Sequence, residues 1–214
     1  MRKVFLALFI LMGTAILTKA QISTGFVLGA NVGYNTSTIQ QFDFYDNSGE
    51  IGGVNLGLSG EYYFSDRWSL KTKLTYDQKG WAKGFIIEDT SPAGGGSSEV
   101  DGVQFNLNYL TIPVMASWHF GRNRNWYIHF GPYVGFLLSA SDNNNDGNIK
   151  SLFHSTDIGL DTGIGLKFPV AKKVKLFIEA DGQDGVPNVA IQNGSGTLQS
   201  ARSSLNFGVT LDMN

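Results

Sequence analysis

From Gly25 to Tyr34 the chain alternates. Phe26, Leu28, Ala30, Val32 and Tyr34 hold the even positions, and Gly25, Val27, Gly29, Asn31 and Gly33 hold the odd ones. A period of two puts successive side chains on opposite faces of a strand, one greasy and one small or polar. The alternation returns along the chain. Val54, Leu56, Leu58, Tyr62 and Phe64 oppose Asn55, Gly57, Ser59, Glu61 and Tyr63. Trp68, Leu70, Thr72, Leu74 and Tyr76 oppose Ser69, Lys71, Lys73, Thr75 and Asp77. Apolar residues fill every second position from Leu110 to Phe120 and most from Trp126 to Leu138, where Pro132 interrupts. Ile158, Leu160, Ile164, Leu166 and Phe168 face away from Asp157, Asp161 and Lys167, as do Leu176, Ile178 and Ala180 from Glu179 and Asp181. Leu205, Phe207, Val209, Leu211 and Met213 oppose Ser204, Asn206, Gly208, Thr210 and Asp212. This predicts eight strands, many near ten residues long. A tilted strand needs about 9–11 residues to cross a bilayer, whereas globular strands average about five or six.

The connections alternate as well. Ser65-Asp66-Arg67, Gly121 to Asn125 and Pro169 to Lys173 are short. The stretches near Asn35–Glu50, Gln78–Asn106, Ser139–Phe153 and Gly182–Arg202 are long and rich in Gly, Ser, Asn and Asp. Short turns on one side and long loops on the other are the pattern of outer-membrane barrels. The expectation is an all-β fold, an eight-stranded antiparallel up-and-down transmembrane β-barrel with short periplasmic turns and long outer loops.

A soluble sandwich or lipocalin-like barrel would use the same alternation with the greasy face inward. Three features favour the membrane arrangement. The polar face is rich in glycine, including Gly25, Gly29, Gly33, Gly57, Gly131, Gly135, Gly159, Gly163, Gly165 and Gly208. Strand glycines weaken an exposed surface but suit the narrow lumen of an eight-stranded barrel. That face also carries both signs of charge, which a closed lumen would hold as pairs. Aromatic residues of the greasy face cluster at strand ends: Tyr62, Phe64, Trp68, Trp118, Phe120, Trp126 and Phe168 beside short turns, and Tyr34, Tyr76 and Phe136 near long loops. Two such belts mark membrane interfaces. Pro113 and Pro132 lie inside strands and each removes a ladder donor, so a bulge or a water-satisfied carbonyl is expected there.

Composition agrees with this reading. Charged residues make up 16% of the chain, below the roughly 25% of ordinary soluble domains. The net charge of −2 gives no sign of a nucleic-acid partner, and the absence of cysteine excludes disulfides and thiolate chemistry. Residues 1–20 read as a secretory signal peptide: Arg2 and Lys3 precede the apolar stretch Val4 to Leu17, and Thr18-Lys19-Ala20 forms the cleavage site. The expected domains are residues 1–20 as signal peptide and 21–214 as barrel, exported to the periplasm and inserted in the outer membrane.

Tyr109-Leu110-Thr111-Ile112-Pro113-Val114 and Phe130-Gly131-Pro132-Tyr133-Val134-Gly135 resemble the "YLxIP" and "GPYxG" signatures of the PorT-like outer-membrane β-barrel family of Bacteroidetes. Asp157-Ile158-Gly159, Gly163-Ile164-Gly165 and Leu176-Phe177-Ile178-Glu179-Ala180 resemble the family's following hairpin. The resemblance covers essentially the whole chain after residue 20. It implies the barrel fold and no particular activity. The chain departs from many outer-membrane barrels in ending Leu211-Asp212-Met213-Asn214 rather than on an aromatic residue.

Candidate chemistry is sparse. His119 and His129 fall on the inward parity and are expected as polar filling of the lumen. Ser155, His154 and Asp157 are the one local set of catalytic type, and no G-x-S-x-G elbow accompanies them. A non-enzymatic protein is expected. Asp142-Asn143-Asn144-Asn145-Asp146-Gly147 matches the start of a calcium loop, with Asp142, Asn144 and Asp146 as oxygen ligands, but Phe153 stands where the bidentate acid belongs. A weak Ca2+ site is weighed there against a polar turn. Phe42, Phe44, Tyr45, Trp81, Phe85, Ile86 and Ile87 suggest outer loops that contact a partner, a ligand or lipopolysaccharide. The expected partners are outer-membrane lipid, the outer-membrane assembly machinery and other envelope proteins. The expected role is structural, docking or secretion-accessory, with a small pore or ligand-binding barrel, or a soluble secreted lipocalin-like binder, as the alternatives.

Overall fold

The computed structural model of the protein describes residues 25–41, 48–89, 97–143, 148–191 and 198–213, with backbone alone at 41, 85–89 and 97–101. Eight strands run in chain order: β1 (Gly25–Gln41), β2 (Ile51–Tyr63), β3 (Trp68–Asp89), β4 (Ser97–Phe120), β5 (Trp126–Asp142), β6 (Thr156–Pro169), β7 (Val174–Gly185) and β8 (Leu198–Asp212). Each pairs antiparallel with its neighbour, and β1 closes the ring against β8 from Val27↔Asp212 to Gln41↔Leu198. Closure leaves no unpaired sheet edge, which a strand protein in lipid requires.

The parity read from the sequence decides which way the barrel faces. Leu58 and Leu160 are 63% and 58% exposed, whereas Glu61 is 3% and Asp77 0% exposed. An apolar outer wall around a charged lumen is stable only when acyl chains solvate the wall. The aromatic residues beside the short turns form a contiguous arc. Trp118 lies 6.5 Å from Trp68 and stacks on Phe120 at 5.3 Å, and Phe120 stacks on Trp126 at 6.3 Å.

The strands continue beyond the predicted membrane span, which corrects the long-loop boundaries. The stretch Gln78–Asn106 is chiefly a paired hairpin whose ladder runs out to Asp89↔Ser97. The alternation breaks there because the register shifts between Trp81 and Phe85, where Lys83 adopts φ 58°. β5 shifts register too: Asn108 pairs with Ser139 and Tyr109 with Leu137, so Leu138 bulges outward. Beyond that bulge the inward positions become Ala140 and Asp142. In the next connection a single 3-10 turn occupies Lys150–Leu152.

Pro113 interrupts the ladder to β3, where pairing skips from Thr72↔Val114 to Thr75↔Thr111, and Pro132 lies in a second gap, between β4 and β5, where pairing skips from Pro113↔Tyr133 to Ala116↔Phe130. The Pro113 carbonyl accepts a hydrogen bond from the Thr72 hydroxyl at 2.9 Å. A side chain thus does what the sequence assigned to a bulge or a water. Gly131 sits in the second gap, where a Cβ would collide with the Val114 carbonyl oxygen and come within 2.7 Å of the Met115 Cα. Toward β6, Pro132 keeps its register with Leu160.

Candidate functional site

The lumen is filled by a stack of ion pairs whose members come from distant strands. Nearest the short turns, Glu61 on β2 accepts from Lys167 on β6 at 2.6 Å and from Ser69 at 2.6 Å. His119 Nε2 lies 2.9 Å from the same carboxylate, and Lys167 also donates to the Tyr63 hydroxyl at 2.8 Å. One layer up, Glu179 on β7 accepts from Lys71 at 2.5 Å, from the Tyr127 hydroxyl at 2.7 Å and from Lys73. The Lys71 ammonium sits 4.9 Å from the Tyr127 ring centroid, a cation–π contact. Asp181 accepts from Lys73 at 2.9 Å, Ser204 at 2.6 Å, Asn206 at 2.9 Å and Arg202. Arg202 also donates to Asp77 through Nε at 3.0 Å and Nη2 at 2.8 Å. Highest, Asp157 accepts from Tyr133 at 2.9 Å, Ser200 at 2.9 Å and Lys79 at 3.3 Å.

Buried charges are tolerable only when paired and hydrogen-bonded, and each described luminal lysine and arginine is paired with an acid. Lys71, Lys73, Lys79, Lys167 and Arg202 face Glu61, Asp77, Asp157, Asp161, Glu179 and Asp181, all buried. Asp161 accepts from Gln183 at 2.8 Å and lies 3.3 Å from His129 Nε2. Glycine makes room for these side chains: a Cβ on Gly165 would strike the Tyr127 ring. The gap left among Asn55, Lys73, Asp161 and Arg202 is too small to admit a water molecule.

Above the ion pairs the lumen turns apolar. Ile39, Trp81, Val103, Phe105, Leu107, Tyr109, Leu137 and Ala140 from the wall pack with Phe153, Val189 and Ala190 from two outer connections. Trp81 and Phe105 lie 4.8 Å apart, and Phe153 meets both edge-on at 5.8 and 5.9 Å. Backbone bonds lock the cover in place: His154 N donates to Val189 O at 2.9 Å and Ile191 N to Leu152 O at 2.9 Å. Trp81, expected on an exposed outer loop, is therefore a core residue of this seal, 4% exposed.

The residues singled out from sequence divide clearly. His119 and His129 are buried in the lumen, as their parity required. His154 and Ser155 are exposed outside while Asp157 points inward to Tyr133, Ser200 and Lys79, so the three form no catalytic set. Asp142 ends β5 with its side chain buried, and its neighbour Asn143 bonds the backbone of Gln104. Asn144 and Asp146 lie outside the described residues, as do residues 1–20, Phe42, Phe44 and Tyr45 and the side chains of Phe85, Ile86 and Ile87.

Sequence reasoning missed the partnership of Tyr127, Tyr133, Lys79 and Arg202 with the luminal acids. Inward parity would have found the two tyrosines, and extending β8 one step from Ser204 would have found Arg202. It also missed the grouping of His129, Asp161 and Asp181, whose potential ligating atoms lie within 4.8 Å of one another. Asp181 is already engaged by Arg202, Lys73, Ser204 and Asn206, and those two cations would repel a divalent ion. This group works as part of the ion-pair stack.

The family model for the outer membrane protein beta-barrel domain matches residues 19–189. No curated protein matches the chain. Among solved structures, Neisserial surface protein A is similar at 18% identity and a TM-score of 0.51, over 88% of this chain and 98% of that one. The outer membrane protein OprG from Pseudomonas aeruginosa is 12% identical with a TM-score of 0.41, over 92% of this chain and 100% of that one. Ail, the attachment invasion locus protein of Yersinia pestis, is 14% identical with a TM-score of 0.42, over 87% and 99%. The likeness to the Neisserial protein is one of fold. The apolar wall, the closed eight-strand ring and the match over residues 19–189 agree: the chain belongs to the outer membrane protein beta-barrel domain family and resides in the outer membrane, in contact with its lipid.

Proposed function

We propose that this protein is a non-enzymatic, closed barrel that serves as a membrane-held docking platform, presenting its outer end to other envelope proteins in a structural or secretion-accessory role. The observation that carries this reading is the filling of the lumen. Ion pairs occupy its lower and middle layers and an aromatic seal covers them, so solute flow is not what the barrel is built for. What projects is the β3–β4 hairpin, whose ladder continues well past the membrane span to Asp89↔Ser97. A paired ribbon on a plugged barrel suits recognition better than transport. The "YLxIP" and "GPYxG" segments support a place in the PorT-like branch, and a strand ring of this kind needs the outer-membrane assembly machinery for insertion.

The test has two arms. The refolded protein in a planar bilayer should give no unitary conductance steps, and regular steps would overturn the closed-barrel reading. Replacing Phe85–Asp101 by an Asn-Gly turn leaves Trp81, Val103 and Phe105 in place, and this variant should still insert. Crosslinked envelope adducts seen with the full-length hairpin should disappear. Adducts unchanged by the deletion would count against docking through this ribbon.

A further inference from the structure

The two ends of the barrel differ in charge. The short-turn end carries Arg67, Arg122, Arg124, Lys172 and Lys173, with Asp66 as the one acid in those turns. Arg124 is tied to Asp66 at 3.0 Å, and at the strand ends Lys175 is tied to Asp212 at 3.1 Å. Lys172 and Lys173 are exposed in the β6–β7 turn and enter no ion pair among the described residues. The turn is tight: Val170 N and Ala171 N both donate to Val174 O, at 3.0 and 3.1 Å. The two ammonium groups are thus mounted on a fixed backbone at headgroup level, next to the exposed apolar Val170.

Directly above this turn the outer wall is indented. Phe168, Leu176, Val209 and Ala30 form one lateral row through the pairs Phe168↔Leu176, Leu176↔Val209 and Ala30↔Val209. Ile178 and Phe207 stand in the next row. An open, apolar groove of about 560 Å3 lies over these rows, with the small Ala30 at one end and Phe168 at the other. Leu176 is three residues from Lys173, about 10 Å along an extended chain.

An apolar trough whose wall residues Phe168 and Leu176 flank a turn with two exposed lysines matches a molecule with a hydrocarbon tail and a phosphate head. We propose that the groove and the β6–β7 turn together bind one anionic phospholipid of the leaflet that contacts the short turns. The acyl chain lies along Ala30 and Val209, and the headgroup phosphate rests on Lys172 and Lys173. Lysine suits this role because it binds phosphate as a point charge without demanding fixed geometry. Selectivity for anionic over zwitterionic lipid follows from the two lysine charges, since the neighbouring acid, Asp212, is tied to Lys175, and chain requirement follows from the groove.

The test is lipid titration of the refolded full chain in neutral detergent, with bound lipid counted by native mass spectrometry and folding checked by heat-modifiable gel migration. Phosphatidylglycerol should bind one per barrel, and phosphatidylcholine about tenfold or more weaker, the ratio two lysines give near a surface. K172Q/K173Q should lower phosphatidylglycerol affinity to the phosphatidylcholine level. A30F, which fills the groove from a lipid-facing position, should weaken both lipids. R122Q, one turn away, should change neither, and inorganic phosphate should not compete at millimolar concentration. Unchanged binding in K172Q/K173Q or in A30F overturns the proposal. So does an equal loss in R122Q, which would indicate diffuse surface charge, or competition by phosphate, which would indicate a headgroup site with no use for the chain.

Discussion

Replacing Glu179 by Gln removes one negative charge from the middle of the lumen while keeping the side-chain shape. Glu179 takes Lys71 at 2.5 Å, the Tyr127 hydroxyl at 2.7 Å and Lys73, and its side chain has no exposed surface. In E179Q, Lys73 keeps Asp181 at 2.9 Å, but Lys71 loses the carboxylate it pairs with. What remains for Lys71 is the rings of Tyr127 and Phe177, at 4.9 and 5.6 Å. Breaking a buried pair by removing one partner costs about 3–5 kcal/mol, because the other charge is left uncompensated. A solvated pair would cost no more than about 1 kcal/mol. The two regimes are far enough apart to decide whether the lumen is dry. Urea unfolding in phospholipid vesicles, followed by tryptophan emission and by gel mobility, reads the difference. The double variant K71M/E179Q should recover at least half of the loss, since deleting both partners of a buried pair is far less costly than deleting one. A loss below about 1 kcal/mol in E179Q, with no recovery in the double variant, would mean the lumen is hydrated and would refute the plug argument.

Three further outcomes follow from separate parts of the structure. G131A should prevent stable insertion, seen as loss of heat-modifiable migration, because the new methyl group meets the Val114 carbonyl and Met115 backbone rather than a side chain that can swing away. T72V should cost about 1–3 kcal/mol in the urea assay by leaving the Pro113 carbonyl without a donor in an apolar surround; a neutral result would imply that another group reaches that oxygen. F153A should open the outer seal while sparing the membrane ring, since Phe153 packs on Trp81 and Phe105 above the ion pairs. Protease cleavage between residues 143 and 156 should accelerate while the gel shift persists, and simultaneous loss of both would show that seal and ring unfold as one unit.

The membrane part of this fold was legible because its physics is local. A period of two fixes which face each residue takes, and eight such stretches separated by alternating short and long connections leave few closed arrangements. The luminal pairing was legible in kind, since Glu61, Lys71, Lys73, Asp77 and Glu179 share the inward face. The actual partners were not. Lys167 meets Glu61 and Lys71 meets Glu179 across the lumen, and nothing in the spacing of these residues specifies how the ring closes. The outer third was misread for a related reason. Around Gln78–Asn106 the alternation is broken by Gly80, Ala82 and Gly84, so a continuing hairpin resembled a loop, and Trp81 resembled an exposed aromatic although it is the centre of the seal. The β5 bulge at Leu138 reverses inward and outward from there on, which no fixed period anticipates.

The seam between the first and last strands has a consequence for biogenesis. Because Gly25–Gln41 finds its second neighbour only in Leu198–Asp212, the ring has no stable partial form. A chain released from synthesis or export with even its final segment missing would hold two raw borders of unsatisfied peptide groups, intolerable in hydrocarbon and adhesive in water. Insertion must therefore wait for the complete polypeptide. The long-range join that makes the finished cylinder durable is also what makes its birth an all-or-nothing event.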